Sequence, residues 1–478
     1  MLFNSFSFLV FFVVVSVSFY VLKHRFRWLL LLLASCIFYM FFKPAYILIL
    51  AFTIVVDYYA GIAIENAGTQ KKKYAFLVAS LIANIGVLAV FKYYNFINDN
   101  ITGLCRLMGV ENQLPYLHIL LPIGLSFHTF QAMSYTIEIY RGHQQAERHF
   151  GLYALYVMFY PQLVAGPIER PQNLLHQFRQ KNTYQYHHVV TGLRLMLWGF
   201  FKKIVIADRL GVIVNEIYAN HNSYTGVALL VAVIFFAFQI YADFSGYSDI
   251  AVGAAKVMGF DLMLNFHYPF RSKNFTEFWR RWHISLSTWF NDYLYTPISF
   301  SKRKWRNYAV VFAIMITFSI SGLWHGAGWT FLVFGLLHGA VLSYEAVSKK
   351  FRKRLAKKIP ALLYNRGSQL LTFAFLAFTW IFFRSETFPK AFDIIKNIFT
   401  PGDSYKKLFD PRLSYHLVLG IGAIFLMETL QGWFKEQQFH QYIEKKSTAV
   451  RWAFYLFFCI LILNFGYYGS NQFIYFQF

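Results

Sequence analysis

The hexapeptide Trp324-His325-Gly326-Ala327-Gly328-Trp329 sets a titratable ring between two apolar runs, 310–316 and 331–337, neither of which holds a charge. A charged side chain in hydrocarbon costs roughly 2.5–3.5 kcal/mol on insertion scales, so an ionisable group there usually persists because function requires it. A neutral imidazole with its ordinary pKa of about 6.5 suits a general base, which makes His325, with Trp324 beside it, the leading candidate for chemistry. A second histidine, His283, falls in 275–289. There Phe275, Phe278, Trp282, Leu286 and Trp289 recur at three- and four-residue spacing and predict one amphipathic helix on the cytoplasmic face. Arg280 and Arg281 lie off that stripe, and His283 beside it is expected to touch water. A third polar intrusion, 239–249, puts Gln239 and Asp243 on one helical face and Ser245 and Asp249 on another, with Tyr247 between them. Both carboxylates would be costly against lipid, so they are expected to face the interior, in a hydrogen-bonded network that locks helices or in contact with substrate.

These groups must be positioned by membrane helices. The chain is 57% hydrophobic and only 14% charged over 478 residues, too apolar for an ordinary soluble protein. Candidate spans recur from residue 5 to 468, among them 116–137, 149–165, 188–206, 225–242, 308–323 and 329–347. The expected architecture is all-α and polytopic, with roughly 10 to 13 membrane segments, some re-entrant. It is organised as one domain over 1–478: N-terminal helices in 1–115, a catalytic core in 116–350 and C-terminal helices in 351–478. The stretch 161–171 cannot be one continuous helix, because Pro161, Pro167 and Pro171 each remove an amide donor. It either lines a cavity or forms a cytoplasmic loop.

The net charge of +23 comes from short basic blocks between apolar runs, and the positive-inside rule accounts for it better than nucleic acid does. Blocks at 23–27, 71–73, 302–306 and 349–358 belong inside and the connection 95–115 outside, so the N-terminus lies outside. Residues 307–348 must then cross and return, with His325 at the hairpin tip, in the outer half of the membrane. Tilt of the first arm, or an early helix end near Ser321-Gly322, would leave it at that depth. Gly326 and Gly328 are expected to allow a tight turn and a close approach by substrate, and His338 on the descending arm to serve packing. On this topology His283 starts from the opposite face, and the two histidines meet only if 272–300 dips into the membrane. Cys36, Cys105 and Cys459 are scattered, and no metal pair, phosphate loop or dinucleotide fingerprint is present, so neither a metal nor a bound cofactor is expected.

Several motifs in one order resemble the membrane-bound O-acyltransferase family, in particular its bacterial alginate O-acetyltransferase-like branch. They are Leu121-Pro122-Ile123-Gly124-Leu125-Ser126-Phe127, Gly166-Pro167-Ile168, Asp243-Phe244-Ser245-Gly246-Tyr247-Ser248-Asp249, 278–287, Trp324-His325-Gly326 and the ending Phe473-Ile474-Tyr475-Phe476-Gln477-Phe478. His128 departs from the aromatic residue expected there and is read as structural. The resemblance implies transfer of an acyl group, acetyl above all, from a cytoplasmic thioester such as acetyl-CoA to a hydroxyl of an extracytoplasmic polysaccharide. It matches His325 to the family's invariant histidine and His283 to its second polar position. In the resulting scheme His325 is the base, while His283, with Arg280 or Arg281, positions the donor or stabilises the oxyanion. It further implies a multi-pass protein of the bacterial inner membrane, working beside an extracytoplasmic serine-hydrolase-like partner. D-alanyl transfer to a teichoic-acid-like polymer is the nearest alternative, and a transporter or flippase is the rival from another class.

Overall fold

The computed structural model describes residues 1–117, 122–164, 166–469 and 473–474, and among them all regular structure is helical. Leu121, Ala165, Tyr475, Phe476, Gln477 and Phe478 of the motifs above lie outside the described residues. Eight described helices are long and apolar enough to cross a membrane. Contacts divide the chain into two units: Met1–Met196 with Ile250–Met263, and Leu197–Asp249 with Leu264–Phe478.

In the first unit the helices Ile47–Asn66, Gln70–Leu88 and Leu125–Tyr140 meet around a polar knot. Ser80 donates to Asp57 at 2.6 Å and Asn84 donates to it at 2.9 Å, so a carboxylate that lipid would reject is held by neutral donors. His128 is buried with Nε2 3.4 Å from Thr53 Oγ1, a packing position. The stretch around Pro161 breaks as its prolines require, into Phe150–Met158, a turn at Tyr160–Leu163 and Pro171–Arg179. Protein covers the break. Glu169 is wholly buried, accepts the Met263 N–H and the Asn173 amide, and burial pushes its pKa up to about 7.

The expected span 188–206, which begins in the first unit and continues into the second, does not stay regular. The helix Tyr186–Phe200 passes into a π-helical turn, Phe201–Ala207, before Asp208–Ala219. The extra residue per turn directs the adjacent Lys202 and Lys203 into the core. The hairpin does form, as Asn307–His325 and Trp329–Val347. Its first arm runs through Ser321 and Gly322 to His325 without an early end, a rise of about 27 Å at 1.5 Å per residue. The arms touch backbone to backbone: a Cβ on Gly335 would lie 2.2 Å from the Phe318 carbonyl oxygen, and one on Gly322 2.3 Å from that of Phe331.

Candidate functional site

The single amphipathic helix expected over 275–289 is two short ones, Phe275–Arg281 and Ile284–Phe290. The first is capped twice, by Asn274 accepting the Glu277 N–H at 2.8 Å and by Glu345 accepting the Phe275 and Thr276 N–H groups at 2.8 and 3.0 Å. The break falls on His283, whose φ of 43° and ψ of 54° are left-handed. That conformation costs a non-glycine residue about 1–2 kcal/mol, which its surroundings must offset. They do so through Asn265. The Ile284 N–H donates to the Asn265 carbonyl at 2.9 Å, and Asn265 Oδ1 lies 3.1 Å from His283 Nδ1 and accepts the Ser285 hydroxyl at 2.9 Å.

His283 is therefore not an interfacial ring touching water. It is wholly buried, and its ring meets those of Phe244 at 4.6 Å and Trp324 at 6.1 Å. Burial lowers its pKa to about 3, so the imidazole is neutral. The stripe persists as buried residues, Phe275, Phe278, Trp282, Leu286 and Trp289, packed against protein.

His325 is also buried, against Trp324 at 4.9 Å, Phe383 at 5.4 Å and Phe334 at 5.9 Å. Trp324 thus has a histidine ring on each side, and the residues placed at opposite membrane faces by simple topology share one neighbour. Gly326 and Gly328 are extended, at φ −158° and −167°, so left-handed freedom is not what the turn uses. Gly326 is required because the Phe331 ring sits where a Cβ would go, 2.1 Å away.

A cavity of about 990 Å³ approaches these rings. Its lining includes Lys349, Arg352 and Glu345, with Asn274, Arg280 and Ser287. Ile284, next in the chain to His283, and Ser321, one turn before His325, also line it. Arg280 faces this space, whereas Arg281 is held by Glu277 at 3.1 Å and Glu436 at 3.2 Å. Trp282 is stacked on Phe278 at 5.4 Å and packed on Trp380 at 5.4 Å.

The 239–249 cluster is bound differently. Lys203 lies 2.7 Å from Asp243 and 2.8 Å from Asp208, Lys202 lies 2.8 Å from Asp249, and Asp243 also accepts the Ile474 N–H. Ser245 and Tyr247 are fully buried beside it and Gln239 is partly so. His338 is tied at both nitrogens, Nδ1 accepting the Trp279 indole N–H at 3.3 Å and Nε2 lying 3.1 Å from the Thr379 hydroxyl. No group of three or more metal-ligating side chains occurs among the described residues. Reading the sequence overlooked Lys202, Lys203, Asn265 and Glu345. The lysines carried a signal, two charges at the end of an apolar run.

Comparison with known proteins identifies the family. The profile of the membrane-bound O-acyltransferase family matches residues 143–383, which takes in both histidines. A probable alginate O-acetylase, AlgI, of Pseudomonas aeruginosa is 36% identical over 84% of this chain and 75% of its own length. A peptidoglycan O-acetyltransferase of Helicobacter pylori is 33% identical over 77% of this chain and 73% of its own. A teichoic acid D-alanyltransferase of Bacillus subtilis is 30% identical over 56% of this chain and 69% of its own.

Proposed function

The chain belongs to the membrane-bound O-acyltransferase family, and on that footing we propose that it carries acetyl from a cytoplasmic thioester, acetyl-CoA, to a hydroxyl of an extracytoplasmic polysaccharide. It is an O-acyltransferase of the bacterial inner membrane and crosses that membrane many times. The observation that supports the finer reading is the cavity, whose lining includes both Lys349 and Arg352, in a block expected inside, and Ser321, one turn before His325. A thioester entering there brings its carbonyl toward the hairpin tip while its anionic carrier stays with the basic residues. The N-terminus lies outside in this orientation, and the acceptor reaches His325 from that side.

The chemistry balances without a cofactor. Neutral His325 takes the hydroxyl proton as the oxygen attacks the thioester carbonyl. The tetrahedral adduct then collapses, breaking the carbon–sulfur bond, and the thiolate leaves and recovers the proton from the imidazolium. Desolvation in the ring of Trp324, Phe334 and Phe383 keeps water from competing for the acyl group. Arg280 is suited to hold the carrier within the cavity, and an extracytoplasmic serine-hydrolase-like protein takes part in passing acetyl to the polymer. D-alanyl transfer is a second reading, favoured by the Bacillus subtilis relative, but that likeness spans less of this chain than the acetyl-transferring ones.

Sided membrane vesicles test the proposal. Labelled acetyl-CoA supplied at the cytoplasmic face is expected to label polysaccharide on the other face. Label that stays on the donor side, or that appears equally whichever face receives the donor, would contradict it.

A further inference from the structure

We propose that Thr317 and Ser321 bind the donor: their hydroxyls are two rungs that take the two amides of a pantetheine arm, the chain that coenzyme A and acyl carrier proteins share, and so set the depth at which the thioester meets His325. This rests on the acyl-transfer reading above.

Thr317 and Ser321 are buried and line the cavity, and Val310 and Ile314 precede them in the same lining. On the helix Asn307–His325 these four positions and His325 recur at four- and three-residue spacing, so one face carries the cavity wall on to the histidine. Helical side chains lean toward the N-terminus of their helix, which turns the His325 ring toward Ser321. A hydroxyl inside a helix commonly donates to the carbonyl four residues back, as those of Thr129, Thr288, Ser319 and Thr372 do at 2.8 Å. Thr317 does not. Among the described residues its Oγ1 is buried without a hydrogen-bond partner, and a buried polar group left so is costly unless something else supplies the bond. Threonine has two χ1 rotamers open to it in a helix, so the hydroxyl can turn to a ligand in the cavity without moving the backbone.

The spacing matches the arm. Ser321 is four residues before His325 and Thr317 eight, a rise of about 6 Å and about 12 Å at 1.5 Å per residue. In a pantetheine thioester the first amide nitrogen stands four bonds from the reacting carbonyl carbon and the second stands eight. In an extended chain, at roughly 3.3–3.6 Å per three bonds, those separations are about 5 Å and about 9 Å. With the carbonyl at the His325 ring, each amide comes level with its hydroxyl to within about 3 Å, the length of a hydrogen bond. A hydroxyl both donates and accepts, so either the N–H or the C=O of an amide can be its partner.

The test offers two donors to vesicles bearing the full-length protein, with acetyl transfer to the endogenous polymer as the readout: S-acetyl-pantetheine, which has both amides, and S-acetyl-N-acetylcysteamine, which has only the first. In Thr317→Val, which removes the hydroxyl at nearly constant volume, the ratio of the first rate to the second is expected to fall about 10-fold below that of the wild type, the effect of one lost hydrogen bond. Thr317→Ser, which keeps the hydroxyl, is expected to hold the wild-type ratio, and Ser321→Ala to lower both rates alike. Thr317→Ala is read in the same way should Thr317→Val fail to fold. Of acetyl-CoA and an acetylated acyl carrier protein, whichever supports transfer is the source of the arm, and its rate is expected to show the same loss in Thr317→Val. A merely structural Thr317 would lower both rates in proportion, so an unchanged ratio in Thr317→Val overturns the proposal, as does an equal fall in Thr317→Ser. His325→Ala separates the two readings: if it is inactive while Thr317→Val keeps the wild-type ratio, only the hydroxyl rungs fall. If it transfers acetyl at the wild-type rate, the acyl-transfer site falls and this proposal with it.

Discussion

Around Lys203 the buried charges are matched, with Asp208 and Asp243 within 2.8 Å, whereas around His283 and His325 the buried rings are packed mainly against aromatic side chains. Both clusters are hidden in the same unit, and both look equally anomalous in an apolar sequence. The difference lies in what their polar atoms are for. Paired charges hold helices in register and have little capacity left for a substrate, because releasing either partner leaves a bare charge in low dielectric. A neutral imidazole carries no charge to desolvate and can take a hydrogen bond without that penalty.

Breaking the comparison on the charged side should give the largest loss of stability. Lys203→Met leaves two buried carboxylates without their cation, and a cost of about 3–5 kcal/mol is expected to appear as little folded protein in detergent. Retention of full thermal stability would show that the ion pairs are incidental.

Much of this contrast was legible in the sequence, and some was not. The hairpin and its histidine are visible because Asn307–His325 and Trp329–Val347 are apolar runs flanked by basic blocks. The break at His283 is not visible. The three- and four-residue spacing continues across it, and the interaction that forces it comes from Asn265, 18 residues away. The lysine pairs were hidden for a similar reason: a π turn, which no local propensity announces, puts both side chains into the interior.

A smaller effect sharpens the same point. Lys202→Met alone should destabilise by leaving Asp249 unpaired, but Lys202→Met with Asp249→Met should recover much of the loss, since two packed apolar groups replace a buried ion pair at little cost. Denaturation midpoints of the two proteins decide this, and a double variant worse than the single one would argue that the pair has work beyond packing.

The smallest expected change is at His338, a buried histidine with partners at both nitrogens. His338→Phe should cost about 1–3 kcal/mol, through the Trp279 and Thr379 groups left behind, and leave transfer per folded molecule near that of the wild type. Loss of transfer with the fold intact would place His338 in the chemistry. Acidification bears on His283 in a related way. Its folded pKa of about 3 lies below the ordinary value of about 6.5, so the stability it contributes is complete above pH 6.5 and declines as pH falls toward 3. His283→Gln should flatten that part of the stability–pH curve.

The central claim is that His325 is the base. The most direct measurement is transfer of labelled acetyl from acetyl-CoA by His325→Ala in oriented vesicles, normalised to folded protein. A fall of about 10²- to 10⁴-fold with an unchanged melting profile is predicted. Transfer equal to that of the wild type would contradict it.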